Sequence, residues 1–250
     1  MATDDNATTE TTGTTAAEVA VERVVEIATE QFSRKGFAET KLDTISRASG
    51  MSKRMIHYHF GDKQGLYQKA LAHAAELLAP NVALMEPHSA VPVEGVRKLV
   101  DTIFDQYVAH PEAVRLLTQE SVIQSLETTQ NAAVTDLSEL SLHLDKLLMK
   151  GQDAGAFRPG ISANDVFVLI ASLAMYRTTN KDMMINLLGL DMTNETNTEG
   201  MRRMVIDAIL AFLTANIPDT GQESYLTAKV EDDESEVPSD VYDSGAGIYD

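Results

Sequence analysis

"TISRASGMSKRMIHYHFGDK", Thr44 to Lys63, sets two short apolar-patterned stretches on either side of Gly50. The second half, Ser52 to Phe60, crowds Lys53, Arg54, His57, Tyr58, His59 and Phe60 into nine residues. The chain around it carries a formal net charge of -18. Three readings compete at this stretch: a nucleic-acid-binding helix, a buried helix rich in His, and a metal site. The metal reading is weak, because His57 and His59 are two residues apart and diverge on a helix, so they do not chelate one ion together. Gly50 breaks the pattern, and Ser52 is placed to cap a new helix. Its inward set is Ile56 and Phe60, with Met51 or Met55 at the edge. Its outward set is Lys53, Arg54, His57 and Tyr58, too polar for a helix that is wholly core.

The neighbouring segments give this helix its setting. Upstream, Val21, Val24, Ala28 and Phe32 fall at spacings of three to four and predict an amphipathic helix from Ala16. "RKGF" ends it, with basic residues in the last turn and Gly36 for a positive φ. A second helix is expected from Thr40 as N-cap, with Asp43 three residues on completing a near capping box. Its apolar face is Leu42, Ile45 and Ala48. Downstream, Asp62 is the expected N-cap of a fourth helix running to about Ala79. The pair 40–49 and 52–59, joined across Gly50, has the size of a helix-turn-helix.

Pro80, Pro87 and Pro92 then mark a domain boundary. Beyond it, helical spacing continues over 93–109, with Pro111 at a first helical position, and over 134–150 from Val134 and Leu137 to Leu147. "AGAFRPG" (154–160) is a turn. Ser162 and Asp165 form a capping-box pattern before an apolar helix over 162–177, and a last helix covers about 199–215. No β-alternation and no repeat appears, so the expected class is all-α. The expected division is a disordered arm (1–15), a helical domain with a helix-turn-helix (16–79), a larger helical domain (80–216), and a disordered acidic tail (217–250).

Charge is distributed unevenly over these segments. Residues 16–84 hold nine Lys or Arg against eight Asp or Glu, whereas residues 217–250 hold one against ten. The overall acidity therefore says little against a nucleic-acid partner, since binding depends on the local patch. The chain has no Cys, which excludes disulfides, thiolate zinc sites and cysteine nucleophiles. No run of about 18 apolar residues predicts a membrane span. The first residues lack the basic-then-apolar pattern of a secretory signal, so a cytoplasmic location is expected. His73, His88, His110 and His143 are isolated, and neither a phosphate-cradling Gly loop nor a nucleophile elbow occurs. No metal, no cofactor and no enzymatic activity are expected.

Residues 20–67, "ERVVEIATEQFSRKGFAETKLDTISRASGMSKRMIHYHFGDKQGLY" within them, resemble the N-terminal domain of TetR-family transcriptional regulators. The shared pattern is a first helix with Phe and a "KGF" ending, and Thr at the start of the second helix. Ile then a small residue follows, with Ala-x-Gly at the turn, Ser opening the third helix, then Ile, Tyr, His and Phe, and Lys and Leu early in the fourth helix. The resemblance implies a homodimeric repressor on a near-palindromic double-stranded DNA operator, with 16–79 as a three-helix DNA-binding domain and 80–216 as a ligand-binding and dimerisation domain. It also implies a small-molecule effector bound by the C-terminal domain, and a dimer built from the last two helices. The rival from another class is a helical scaffold or effector sensor that has lost DNA binding.

Within that resemblance, Arg54 is the first candidate to read a base edge, and Lys53 to reach a base or phosphate. Ser52 opens the helix whose N-terminal turn meets the groove. His57 stands where the family usually has a phosphate-contacting Tyr, and Tyr58 is a further contact. His59 is expected to pack. Lys63 matches a family phosphate contact at a helix N-terminus. Thr40 and Lys41 are candidate phosphate partners at the second helix. For the effector, an apolar pocket with a few polar anchors is expected. Candidates are Phe104, Tyr107, Leu117, Glu120, Gln124 and His143 from the earlier helices, and Leu147, Phe167, Met175, Tyr176 and Arg177 from the later ones. The helices over 162–177 and 199–215 are the expected dimer face.

Overall fold

Apolar residues recurring every three or four positions produce helix throughout the described residues, and no strand appears among them. The structure, a computed structural model, describes residues 16–80, 91–126, 138–218, 221 and 224–226. In chain order the helices are α1 (Ala16–Glu39), α2 (Leu42–Ser49), α3 (Lys53–Phe60), α4 (Lys63–Leu78), α5 (Pro92–Ala109), α6 (Pro111–Ile123), α7 (Ser138–Asp153), α8 (Ala163–Thr179), α9 (Lys181–Leu188) and α10 (Glu195–Thr214). The expected contributions of Val134, Leu137 and His88 lie outside the described residues, as do residues 1–15 and 227–250.

The first four helices pack around the stripe that the α1 spacing predicts. Val24, Ala28 and Phe32 are fully buried, and Ile45 of α2, Ile56 of α3, and Leu66, Tyr67, Ala70 and Leu71 of α4 close over them. Gly36, at φ 75 and ψ 172, is non-helical and breaks α1 with a kink at the expected place, a backbone geometry that disfavours a β-carbon. The kink turns Phe37 back, with ring centroids 6.3 Å from Phe32 and 4.9 Å from Tyr67. The expected cap at Thr40 is corrected here. The cap position of α2 is Lys41, which makes no side-chain cap bond. Thr40 is buried beneath the end of α1, and its hydroxyl donates to the Gly36 carbonyl at 2.8 Å, with that of Gln31 at 3.3 Å.

α5, α7, α8 and α10 extend the same apolar core with Val96, Leu99, Ile103, Phe104, Leu144, Val166, Ile170, Val205 and Ile209. α6 bridges the two groups, lying against α1 and α4 on one side and α5 and α8 on the other. Both of α8's capping-box bonds form: Asp165 N donates to the Ser162 hydroxyl, and Ser162 N donates to the Asp165 carboxylate. α9, which the spacing does not predict, has no buried residue and packs on α8. Arg177 ties the connection together, donating to the carbonyls of Met192 and Thr193 and to the Thr198 hydroxyl in α10.

Candidate nucleic-acid interface

α3 is built to display its outer side. Ser52 caps it by accepting from Met55 N at 3.3 Å. Ile56, 1% exposed, is its one fully buried residue, and Phe60 is half-buried behind it. Lys53, Arg54, His57, Tyr58 and His59 all face solvent, Tyr58 at 79% exposure. Met55 also lies outward, because the single Ile56 anchor suffices for so short a helix. His59 does not pack inward as expected. Its ring stands edge-on to Tyr58 at 5.1 Å, on the exposed side.

The turn into α3 is held by hydroxyls. Gly50 takes the left-handed conformation, φ 74 and ψ -2. The Ser46 hydroxyl donates to the Met51 carbonyl at 2.7 Å, and Met51 N donates to the Ser49 hydroxyl at 3.3 Å. At the far end, His57 Nδ1 donates to the Gly61 carbonyl at 2.7 Å. Asp62 then caps α4 by accepting from Gly65 N at 2.8 Å. A β-carbon at Gly65 would come 2.1 Å from the Phe60 carbonyl oxygen, so only glycine lets α4 start this close to the end of α3.

The cations of this face differ in how they are held. Arg54 is exposed, and no hydrogen bond or ion pair to it appears among those described. Lys53 forms an ion pair with Asp43 of α2. Lys63 donates to the Ala38 carbonyl at 3.0 Å, and its ammonium lies 4.6 Å from the Phe37 ring centroid. Partial burial pushes the Lys63 pKa down. Lys41 is exposed, whereas Thr40 keeps its hydroxyl inside. Position and exposure thus gather Lys41, Ser52, Lys53, Arg54, His57, Tyr58 and Lys63 around α3 and its two flanks, and leave Thr40 out. The Asp43–Lys53 pair is a contact that local spacing misses, since Asp43 sits where a capping acid is also found.

The predicted effector residues do not converge in this way. Phe104, Tyr107 and Leu147 are core, and burial pushes the Tyr107 hydroxyl up. Leu117, His143, Phe167 and Met175 are half-buried, and Gln124 and Tyr176 are exposed. Burial lowers the His143 pKa, and Lys146 and Lys150 act in the same direction. Two of the expected anchors make bonds within the fold. The Glu120 carboxylate accepts from the Tyr67 hydroxyl at 2.9 Å and from the Ser125 and Leu126 N–H groups, and Arg177 is engaged between α8 and α10. Burial and the Glu120 bond together push the Tyr67 hydroxyl well above the ordinary range. A groove of about 380 Å³ opens elsewhere, between α1 and α4, lined in part by Val21, Glu22, Val25, Glu26, His73 and Glu76. None of the predicted effector residues lines it. Among the described residues no group of three or more His, Asp or Glu could hold a metal ion, and no helix is long and apolar enough to cross a membrane.

Comparison with known proteins adds two family matches. Residues 24–70 match the model of bacterial regulatory proteins of the tetR family, and residues 92–209 match the tetracyclin repressor-like C-terminal domain. The HTH-type transcriptional repressor NicS of Pseudomonas putida is 30% identical over 175 residues, covering 70% of this chain and 82% of that protein. The HTH-type transcriptional repressor SCO4008 of Streptomyces coelicolor is 26% identical over 180 residues, covering 72% and 88%. Among solved structures, the TetR-family regulator PfmR of Thermus thermophilus superposes with a TM-score of 0.57 at 22% identity, over 80% of this chain and 98% of that one. The last comparison bears on the fold alone.

Proposed function

The chain belongs to the tetR family of bacterial regulatory proteins, and from that premise we propose that it is a cytoplasmic, non-enzymatic repressor released from a palindromic operator by a small-molecule effector. Residues 16–79 form the DNA-reading unit and residues 80–216 the effector-binding and dimerising unit. The observation that carries this reading is α3 itself, an eight-residue helix held by the single buried Ile56 that turns two cations, two imidazoles and a phenol outward. A helix needed only for packing would not expose that set. Two copies bring two such helices to successive major grooves, about 34–36 Å apart or a multiple of it.

The dimer face is α8 with α10. Beyond the buried stripe of each helix, Val168 and Tyr176 of α8 and Met204 of α10 remain exposed, which supports a partner there. The effector acts by favouring a population in which the two heads are wrongly spaced for DNA. The route it needs is α6, which touches both groups of helices and carries Glu120 against Tyr67 of α4.

Binding to duplex fragments, followed as a function of salt, tests the reading. Lys63→Ala weakens binding evenly across sequences and lowers the slope of log K against log salt by about 0.9 for each phosphate no longer neutralised. Arg54→Ala relaxes preference at one base position, at a cost of about 1–3 kcal/mol for the cognate base. Wild-type behaviour in both variants would remove this face from DNA recognition, and failure of the chain itself to bind any duplex would favour the scaffold reading.

A further inference from the structure

We infer that Asp43 is a specificity residue of the DNA-reading face: it holds Lys53 in an ion pair that DNA must open, so that Lys53 contributes little to sequence-independent binding. The inference rests on the DNA-binding reading of α3.

Three observations carry it. Asp43 is not occupied as a cap, because the cap position of α2 is Lys41 and no side-chain cap bond forms there. Its carboxylate instead crosses to the first residue of α3, and both side chains of the pair remain about half exposed, at 57% and 50%. Asp43 also sits among the cations of this face. Arg47 donates to its backbone carbonyl at 3.3 Å, and Lys53, Arg47 and Lys41 all act to hold its carboxyl below the ordinary carboxylate range.

The consequence follows from charge competition. A free lysine at the start of a recognition helix attracts any phosphate, whatever the sequence, and releases about one counterion on doing so. A lysine paired to a carboxylate must first give up that partner. An exposed pair is weak enough to open. Opening is compensated only where a base edge or a well-placed phosphate receives the ammonium, which a cognate site supplies and a random one does not. The carboxylate left behind repels phosphate, which adds to the penalty on a poorly fitted duplex.

The test uses the full chain and compares a random-sequence duplex with an operator selected from genomic fragments. In roughly 0.1 M salt, Asp43→Asn should tighten binding to the random duplex about three- to tenfold and steepen its salt slope by roughly one per protomer. The ratio of operator to random affinity should shrink. Asp43→Ser, equally small and polar, should do the same. Adding Lys53→Ala to Asp43→Asn should abolish the gain, and that substitution should change the slope much less in the wild-type background than in the variant. Unchanged random-duplex affinity in both Asp43 variants overturns the inference. A gain that survives Lys53→Ala also overturns it, since Asp43 would then act by repulsion alone. Failure of the wild type itself to bind any duplex at low salt is a different result, which sinks the DNA-binding reading and this inference with it.

Discussion

His57 shows how far one hydrogen bond can decide a residue's role. Its Nδ1 lies 2.7 Å from the Gly61 carbonyl oxygen, and a carbonyl only accepts, so Nδ1 carries a hydrogen. In the neutral ring Nε2 is then a bare acceptor, and a phosphate oxygen has nothing to offer it. Only the imidazolium presents a second N–H outward. A tyrosine at this position would donate its hydroxyl at any neutral pH. His57 therefore stands in for a tyrosine donor only if its second ring nitrogen also carries a hydrogen. His57→Tyr should accordingly bind the operator more tightly than the wild type, and His59→Gln should match the wild type. A filter-binding comparison of the three chains measures it. Equal affinity of His57→Tyr and the wild type would make His57 a spectator that serves only the turn at Gly61.

At the scale of the helix, the caps separate what is legible from what is not. Ser52, Asp62 and Ser162 cap the helices that their spacing predicts, because donor and acceptor lie within three residues and the pattern is local. Thr40 has the same residue type and a neighbouring acid, yet its hydroxyl turns back to carbonyls of α1. A hydroxyl bonds upstream or downstream equally well, and only the packing of α1 decides. α9 is illegible for a related reason. Met183, Ile185, Leu187 and Leu188 have no buried side, so there is no periodic face to detect. Effector residues are hard to read for the same reason, since an apolar residue at helical spacing reads the same in a core as in a pocket. Asp165 is legible as a cap, but the use made of it after α10 is not. Its carboxylate also accepts from the backbone N–H groups of Tyr225 and Leu226, while Arg158 donates to the Tyr225 hydroxyl and lies over the Phe212 ring. Burial raises the Asp165 pKa, but the bonds from Ser162, Tyr225 and Leu226 outweigh it and bring the group below the ordinary value. A carboxyl with a lowered folded-state pKa stabilises fully above the carboxylate range, and its contribution is lost as the pH falls through that range. Asp165→Asn should accordingly cost about 1–3 kcal/mol in urea unfolding near neutral pH, with the deficit shrinking in acid near pH 3.

Over the whole molecule, position matters more than total. The DNA-reading helices sit in the one stretch that is not acidic, and the largest acidic excess lies at the opposite end of the sequence. The Glu120–Tyr67 bond and the Gln119 amide, which donates to the Ser33 carbonyl at 3.0 Å, join α6 to the first four helices. A displacement of α6 would therefore reach α4 and α1 through these contacts. For the acidic end the effect to test is that of its field. Residues 227–250 hold eight acids and one Lys. They follow directly on Leu226, whose N–H is fixed to Asp165. That anchor makes the place of truncation decisive. Removing residues 217–250 also removes Ser224 to Leu226 and so disturbs the start of α8, which confounds any effect on DNA. Truncation after Leu226 keeps those bonds and removes only a net charge of -7. If this charge repels duplex or competes with it for the cations around α3, the truncated chain should bind random DNA more tightly at low salt. The difference should fade above roughly 0.1 M, where the screening length falls to about 10 Å. The effect should leave the ranking of operator sequences unchanged, because a field of this kind distinguishes no base. Equal affinity of the two chains at low salt would reduce the acidic end to a solubilising role, whereas a changed sequence ranking would place it in direct contact with the reading face.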